Sequence, residues 1–295
     1  MNETWVHIPI MAAQIADMLL LNPGGVYVDG TLGLGGHTKF FLNRLNAQAR
    51  ILGFDKDAEA LRMAVERVND PRLTVFHASY TQAPQELKNL GLEGADGALF
   101  DLGLSSYQLD NPARGFSILH DGPLDMRFDQ QNPLSAAVIV NTWPMGELER
   151  ILKEYGEERN ATPIALAIMQ ARRQGEITTT QQLAQIVAGV YGGKRGKTHP
   201  ATQTFQALRI ACNQELENVQ QALDALEKII KPGGRAAVLT FHSLEDRLVK
   251  NRFKELAKSG AWRLVNKHAL SPQYDEVRQN RRARSAKLRV IERMK

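Results

Sequence analysis

The chain has 295 residues, a length that admits either one large domain or a core carrying an insertion. Hydrophobic residues make up 43% and charged residues 23%, which excludes a disordered, fibrous or low-complexity protein. The longest apolar stretch, Ile10 to Leu21, is interrupted by Gln14 and Asp17, so no membrane-spanning helix is expected. The net charge of +5 favours an anionic partner, and the single cysteine, Cys212, excludes an intrachain disulfide, a zinc site built from several thiolates and a CxxC redox pair.

In chain order, Met1-Asn2-Glu3-Thr4-Trp5 lacks the basic and apolar regions of a secretory signal, so a cytoplasmic location is expected. From Val26 to Ser106, short apolar runs alternate with amphipathic stretches, the pattern of a parallel sheet covered by helices. Strands are predicted at Val26 to Asp29, Ile51 to Asp55, Leu73 to His77 and Gly97 to Asp101, with helices at His37 to Leu45 and Ala58 to Val68 between them. The outline is a doubly wound α/β fold.

From Gln108 to about Asn213 the pattern turns helical and shows no convincing strand. Helices are predicted at Glu147 to Tyr155, Ile164 to Gln174 and Thr180 to Val190, the last with N-caps available between Thr178 and Gln182. The sheet is expected to resume after a helix at Gln214 to Ile230 and a sharp turn at Lys231-Pro232-Gly233-Gly234. Its late strands fall at Arg235 to Phe241, Trp262 to Lys267 and Leu288 to Arg293. The expected organisation is a discontinuous core, residues 1–107 and 212–295, around an inserted helical domain, residues 108–211, assigned to substrate recognition.

The strongest local signal is Val28-Asp29-Gly30-Thr31-Leu32-Gly33-Leu34-Gly35-Gly36-His37, a glycine-rich turn between a strand and a helix. Glycines there let a nucleotide approach the backbone, and the helix N-terminus offers free N–H groups. Asp55 ends the next strand, 20 positions after Gly35, where a carboxylate can accept hydrogen bonds from ribose hydroxyls. Those two features do not separate dinucleotides from S-adenosylmethionine. Three details favour the methyl donor: Asp29 as a counter-charge to its cationic amino-acid end, Tyr80 placed to pack near adenine, and polar groups after the fourth strand in Phe100-Asp101-Leu102-Gly103-Leu104-Ser105-Ser106-Tyr107.

That segment suits transfer to an exocyclic amine, whose protons need acceptors as the nitrogen pyramidalises. Asp101, Ser105 and Ser106 are the candidate catalytic acceptors, and Tyr107 a stacking surface for an extruded base. An alternative for the serines is that they cap the next helix. The histidines are scattered, with no HExxH, so no metal is expected, and His242 with Glu245 reads as a strand-to-helix turn. Basic residues concentrate in Lys194-Arg195-Gly196-Lys197 and in the tail from Arg278 to Arg289. The segment Gly192 to Pro200 and the tail near Arg281 to Lys287 are candidates for phosphate contacts.

Several motifs carry a resemblance over essentially the whole chain: Asp29-Gly30-Thr31 with Gly35-Gly36-His37, Asp101 through Asp110, Arg114-Gly115-Phe116-Ser117, Asp121 through Arg127, Tyr155-Gly156-Glu157-Glu158, His199-Pro200-Ala201-Thr202, Phe205 through Ile210, Phe241 through Arg247 and Arg282 through Arg289. Together they resemble the ribosomal RNA small-subunit methyltransferase H family, also called MraW. The resemblance implies a Rossmann-like class I methyltransferase core and S-adenosylmethionine as cofactor. It implies N4-methylation of the cytidine conventionally numbered 1402 in 16S rRNA of the small ribosomal subunit. The family's cofactor contacts, carried over by position, fall on Gly35, Gly36, His37, Asp55, Tyr80, Asp101 and Gln108. On the residues alone, two other readings stay open: a nicotinamide-dependent oxidoreductase, which would share the glycine loop and Asp55, and a non-catalytic RNA-binding factor, which would share the basic stretches.

Overall fold

A computed structural model describes residues 9–192 and 198–295. The stretch Met1 to Trp5 and the basic run Lys194-Arg195-Gly196-Lys197 lie outside the described residues. The strands are β1 (Val26–Asp29), β2 (Arg50–Asp55), β3 (Leu73–His77), β4 (Ala95–Asp101), β5 (Ile230–Thr240), β6 (Trp262–Leu264) and β7 (Lys287–Arg293). The helices, in chain order, are α1 (Ala12–Leu19), α2 (Gly36–Leu42), α3 (Ala58–Val68), α4 (Ala83–Asn89), α5 (Ser106–Asp110), α6 (Ala136–Thr142), α7 (Met145–Glu154), α8 (Ala161–Gln174), α9 (Thr180–Val190), α10 (Thr202–Asn213), α11 (Glu215–Asp224), α12 (Leu226–Ile229), α13 (Ser243–Lys258) and α14 (Tyr274–Gln279).

The chain divides into two compact units, Met1–Gly103 with Leu216–Lys295, and Leu104–Glu215. The first unit holds a seven-stranded sheet of order β3-β2-β1-β4-β5-β7-β6. Strands β1 to β5 pair in parallel, whereas β7 runs antiparallel to β5 and β6. Central strands of such a sheet are covered on both faces and read as continuous apolar runs, as Ile51-Leu52 with Phe54 and Ala98-Leu99-Phe100 do. One face packs Leu52, Phe54 and Phe100 with Leu223, Leu226 and Phe253; the other packs Tyr27, Ile51 and Leu99 with Ile15, Leu19 and Phe41. Local chemistry sets the helix ends: Asp57 caps α3 by accepting from the Glu59 and Ala60 amides, and Asn69, left-handed at φ 46°, closes it.

Three sequence expectations change in detail. Lys231-Pro232-Gly233-Gly234 does not precede β5 but bulges within it, because the pairing jumps from Ala95↔Ile230 to Gly97↔Arg235. β6 ends at Leu264 rather than Lys267, because the Asn266 side chain takes the place of the ladder, donating to the Leu288 carbonyl and accepting from the Val290 amide. The segment expected as one helix at Gln214 to Ile230 is α11 and α12, and Ile230 already belongs to β5.

The second unit is helical, and among its described residues the β contact is one isolated bridge, Pro123↔Thr179. Its core gathers Ile139, Leu148, Ile151, Ile164, Leu183 and Leu208 from α6 to α10. Thr179 and Gln182 form a reciprocal capping box on α9, within the stretch expected to supply its caps. The sequence reading placed the first seam four residues further on, after Tyr107, and the second four residues earlier, before Cys212. Cys212 and Asn213 stay with the helical unit because α10 continues through them: Asn213 accepts from the Phe128 amide and donates to the Met126 carbonyl, and Cys212 is fully buried in the helical core.

Much of the motif-bearing loop before α6 is architecture. Arg114, only 2% exposed, donates to the Arg127 and Phe128 carbonyls, and Arg127 in turn forms an ion pair with Asp125 at 2.7 Å. A buried guanidinium that satisfies carbonyls is costly to remove, because the acceptors stay behind without water. Arg114→Met is expected to lower the stability of the helical unit by about 3 kcal/mol, read as a loss of hydrogen-exchange protection across α6 and α10. Unchanged protection there would show that the loop does not depend on it.

Candidate cofactor and catalytic site

Ligands of open α/β sheets bind beyond the carboxyl ends of the strands, and there the sheet unit gathers its polar side chains. Asp29 ends β1, Asp55 ends β2 and Asp101 ends β4, three carboxylates on neighbouring strands. Between β1 and α2 the glycine loop turns back along this edge. Its Gly33 amide donates to Asp55 Oδ2 at 2.7 Å, and the Asp57 amide donates to Asp55 Oδ1 at 2.9 Å. Burial pushes the Asp55 carboxyl up to about 6, against the opposing pull of those two amides.

Asp29 is buried, with 2% exposure, and both of its oxygens are engaged: the Thr38 hydroxyl donates at 2.7 Å and the Thr31 amide at 3.3 Å. Burial also raises its pKa. Asp29 therefore joins the loop to the start of α2, and any influence on a cationic ligand is through its field rather than through an open oxygen. Thr31 reaches the other way, its hydroxyl accepting from the Asp101 amide at 2.7 Å. These two threonines carry the geometry of the site, and the sequence reading gave neither a role. For Thr31 the signal is the parallel adjacency of β1 and β4, which becomes visible once the strand order is known.

His37 stands on the first turn of α2, buried at 6% exposure. Its Nε2 lies 3.3 Å from Asp101 Oδ2, yet neither ring nitrogen has a hydrogen-bond partner among the described residues. An orphaned buried imidazole beside a carboxylate that is 26% exposed is the arrangement a bound ligand would complete. Tyr80 opens the turn after β3, its ring edge-on to Phe100 with centroids 5.5 Å apart. Gly30 lets β1 pass this pair, since a Cβ there would sit 2.6 Å from the Phe100 ring.

The sheet unit thus holds Gly35, Gly36, His37, Asp55, Tyr80 and Asp101 of the expected site residues. Ser105, Ser106 and Gln108 belong to the helical unit, at the head of α5. The Ser105 hydroxyl accepts from the Gln108 amide and the Gln108 side-chain oxygen accepts from the Ser105 amide, each at 3.2 Å, so this serine is an N-cap. Ser106 carries no such duty and makes no side-chain hydrogen bond to a described residue. His242, at the end of β5, caps α13 together with Glu245, as its spacing suggested.

Three carboxylates on one edge suit a ligand with positive charge and oppose a pyrophosphate. Together with the strand order and the antiparallel β7, they define a Rossmann-like methyltransferase. The chain matches the MraW methylase family over residues 4–294, and it belongs to that family. It is 55% identical over 293 residues to the "Ribosomal RNA small subunit methyltransferase H" of Elusimicrobium minutum (strain Pei191), covering 99% of this chain and 100% of that one. It is 44% identical to the protein of the same name from Carboxydothermus hydrogenoformans, covering 98% of each. Its cofactor is S-adenosylmethionine.

The loop geometry depends on Gly35, which takes φ +74° where a Cβ would also lie 2.5 Å from Val68 Cγ2. Gly35→Ala is expected to cost about 2–4 kcal/mol, part of it left-handed strain and part steric. In a double-mutant cycle with Val68→Ala, the steric part should be recovered and the backbone part should remain; strictly additive losses in denaturant titrations would refute the contact.

Proposed function

We propose that this methyltransferase acts on 16S rRNA of the small ribosomal subunit, in the cytoplasm, and methylates N4 of the cytidine conventionally numbered 1402. The acceptor class is supported by the names of the two relatives above. The observation that carries the chemistry is Asp101, a partly open carboxylate at the end of β4, fixed by the Thr31 hydroxyl at its amide and flanked by His37.

When bound, S-adenosylmethionine supplies an electrophilic methyl group on a cationic sulfur. The residues proposed to hold it are Gly35, Gly36, His37, Asp55, Tyr80, Asp101 and Gln108. The orphaned His37 ring and the desolvated Asp55 carboxylate fit hydrogen-bonding ligand groups. A cytosine N4 is a weak nucleophile because its lone pair is delocalised into the ring. Asp101 is positioned to accept a hydrogen bond from the amine and hold the lone pair toward the methyl carbon. Of the two serines proposed to help it, Ser106 has the hydroxyl to spare, since Ser105 is occupied as a cap. The helical unit is proposed to recognise the RNA.

The decisive experiment transfers label from S-adenosylmethionine to small subunits lacking the modification and identifies the product nucleoside. N4-methylated cytidine is expected; label in another nucleoside, or none, would sink the acceptor assignment. In the same assay Asp101→Ala should lower kcat by about 100-fold or more, and Ser106→Ala by about ten-fold. Ser105→Ala should instead cost about 1 kcal/mol of stability in the loss of its cap. Normal turnover in the Asp101 variant would remove it from the catalytic set.

Asp55 predicts a pH dependence. Its carboxyl titrates near 6, so the acceptor for a ribose hydroxyl is intact at neutral pH and is lost as pH falls through about 6. Calorimetric titration should show cofactor affinity flat above about pH 7 and falling below 6. Asp55→Asn should bind weakly with that acid limb gone; an acid limb that survives the substitution would assign the titration elsewhere.

A further inference from the structure

We propose that the arm formed by α14 and the turn that follows it is a docking surface for single-stranded RNA flanking the target nucleotide. Phosphates would lie on Arg278, Arg281 and Arg284, and a base would stack on Tyr274. The inference rests on the RNA reading above and assigns residues to it.

Periodicity arranges the arm. Tyr274 and Arg278 are four apart on α14 and share a face. Arg281–Ser285 is a 3₁₀ turn, whose period of three puts Arg281 over Arg284 while Ala283 and Ala286 are buried against Leu288 and Leu239. The arm is anchored before any ligand arrives: Glu276 accepts from the Met11 amide at 2.6 Å, and Asn280 caps the turn by accepting from the Arg282 amide. Arg278, Arg281 and Arg284 are exposed and make no hydrogen bond or ion pair with a described residue. Tyr274 is 77% exposed, unusual for a large aromatic ring. Of the other basic residues of the tail, Lys287 and Arg289 both pair with Asp246.

Topology places this arm. β7 is antiparallel to β5, with Thr240 paired to Lys287, so the chain enters β7 at the carboxyl end of β5. Asp101 on β4 is paired to Leu239 at that same end. Two strand spacings, roughly 10 Å, separate the Asp101 position from the residues that follow the arm. The reversal of one strand thus delivers unpaired guanidinium groups and an aromatic ring to the edge where the methyl group is transferred. Arginine forks suit phosphate oxygens, and an exposed ring accepts any base face, the combination used for single strands.

The test measures binding without chemistry: fluorescence anisotropy of a labelled 16S rRNA fragment spanning the target cytidine, between 50 and about 200 mM salt. Three released phosphate contacts on a single strand correspond to a drop of about 2 in the slope of log affinity against log salt, expected for R278Q/R281Q/R284Q. Tyr274→Ala should weaken binding by about five-fold or more, and Tyr274→Phe should restore it. Thermal unfolding and S-adenosylmethionine affinity verify that the variants are folded. Wild-type affinity and slope in the triple variant would overturn the proposal even if cytidine is methylated normally. A lost slope, in an enzyme that proves to methylate a different nucleoside, would uphold the arm and reject the cytidine assignment instead.

Discussion

The hydrogen bond from the Asp101 amide to the Thr31 hydroxyl is the constraint on which the site depends. It ties the end of β4 to the loop leaving β1. Because Thr31 sits two residues after Asp29, the same loop is held at its other side by the Thr38 hydroxyl on α2. A carboxylate on each of two adjacent strands would otherwise repel its neighbour. Here the Thr38 hydroxyl holds the Asp29 carboxylate and the Thr31 hydroxyl holds the Asp101 backbone, and of the two only Asp101 keeps an open face. The glycines of the loop then have a defined path, and the first turn of α2 brings His37 to Asp101.

Electrostatics decides which nucleotide-like ligand such an edge can take. Asp29 is buried and Asp55 half-buried, and desolvation raises the pKa of both. A site that accumulates destabilised negative charge gains most from a cation, so binding a sulfonium returns energy that folding spent. A pyrophosphate would add to the strain. This is why a glycine loop with a ribose-type carboxylate, ambiguous by itself, becomes specific when the carboxylates are seen on neighbouring strands.

The sheet was legible in the sequence because buried parallel strands are short apolar runs, and β1 and β3 fall where those runs do. The glycine loop and Asp55 were legible because chemistry demands them at a fixed spacing. What could not be read was pairing. The jump in register that makes Lys231 to Gly234 a bulge depends on β4, and the early end of β6 depends on Asn266 finding β7. The tie from Thr31 to Asp101 likewise requires knowing that β1 lies beside β4. Leu104 to Tyr107 looked continuous with the sheet segment before them, yet they belong to the helical unit.

The interruption between β4 and β5 has a consequence for how the chain is made. These two strands are neighbours at the centre of the sheet, yet the whole helical unit, Leu104–Glu215, is synthesised between them. On the ribosome, β4 emerges with one flank ready to pair with β1 and the other without a partner until β5 appears. An apolar strand edge left open in that interval is a hazard for misassembly. The inserted unit has a core of its own, drawn from α6 to α10. Translation order therefore puts β1 to β4, with the three carboxylates that end β1, β2 and β4, ahead of the helical unit, and β5 to β7, which close the sheet, after it.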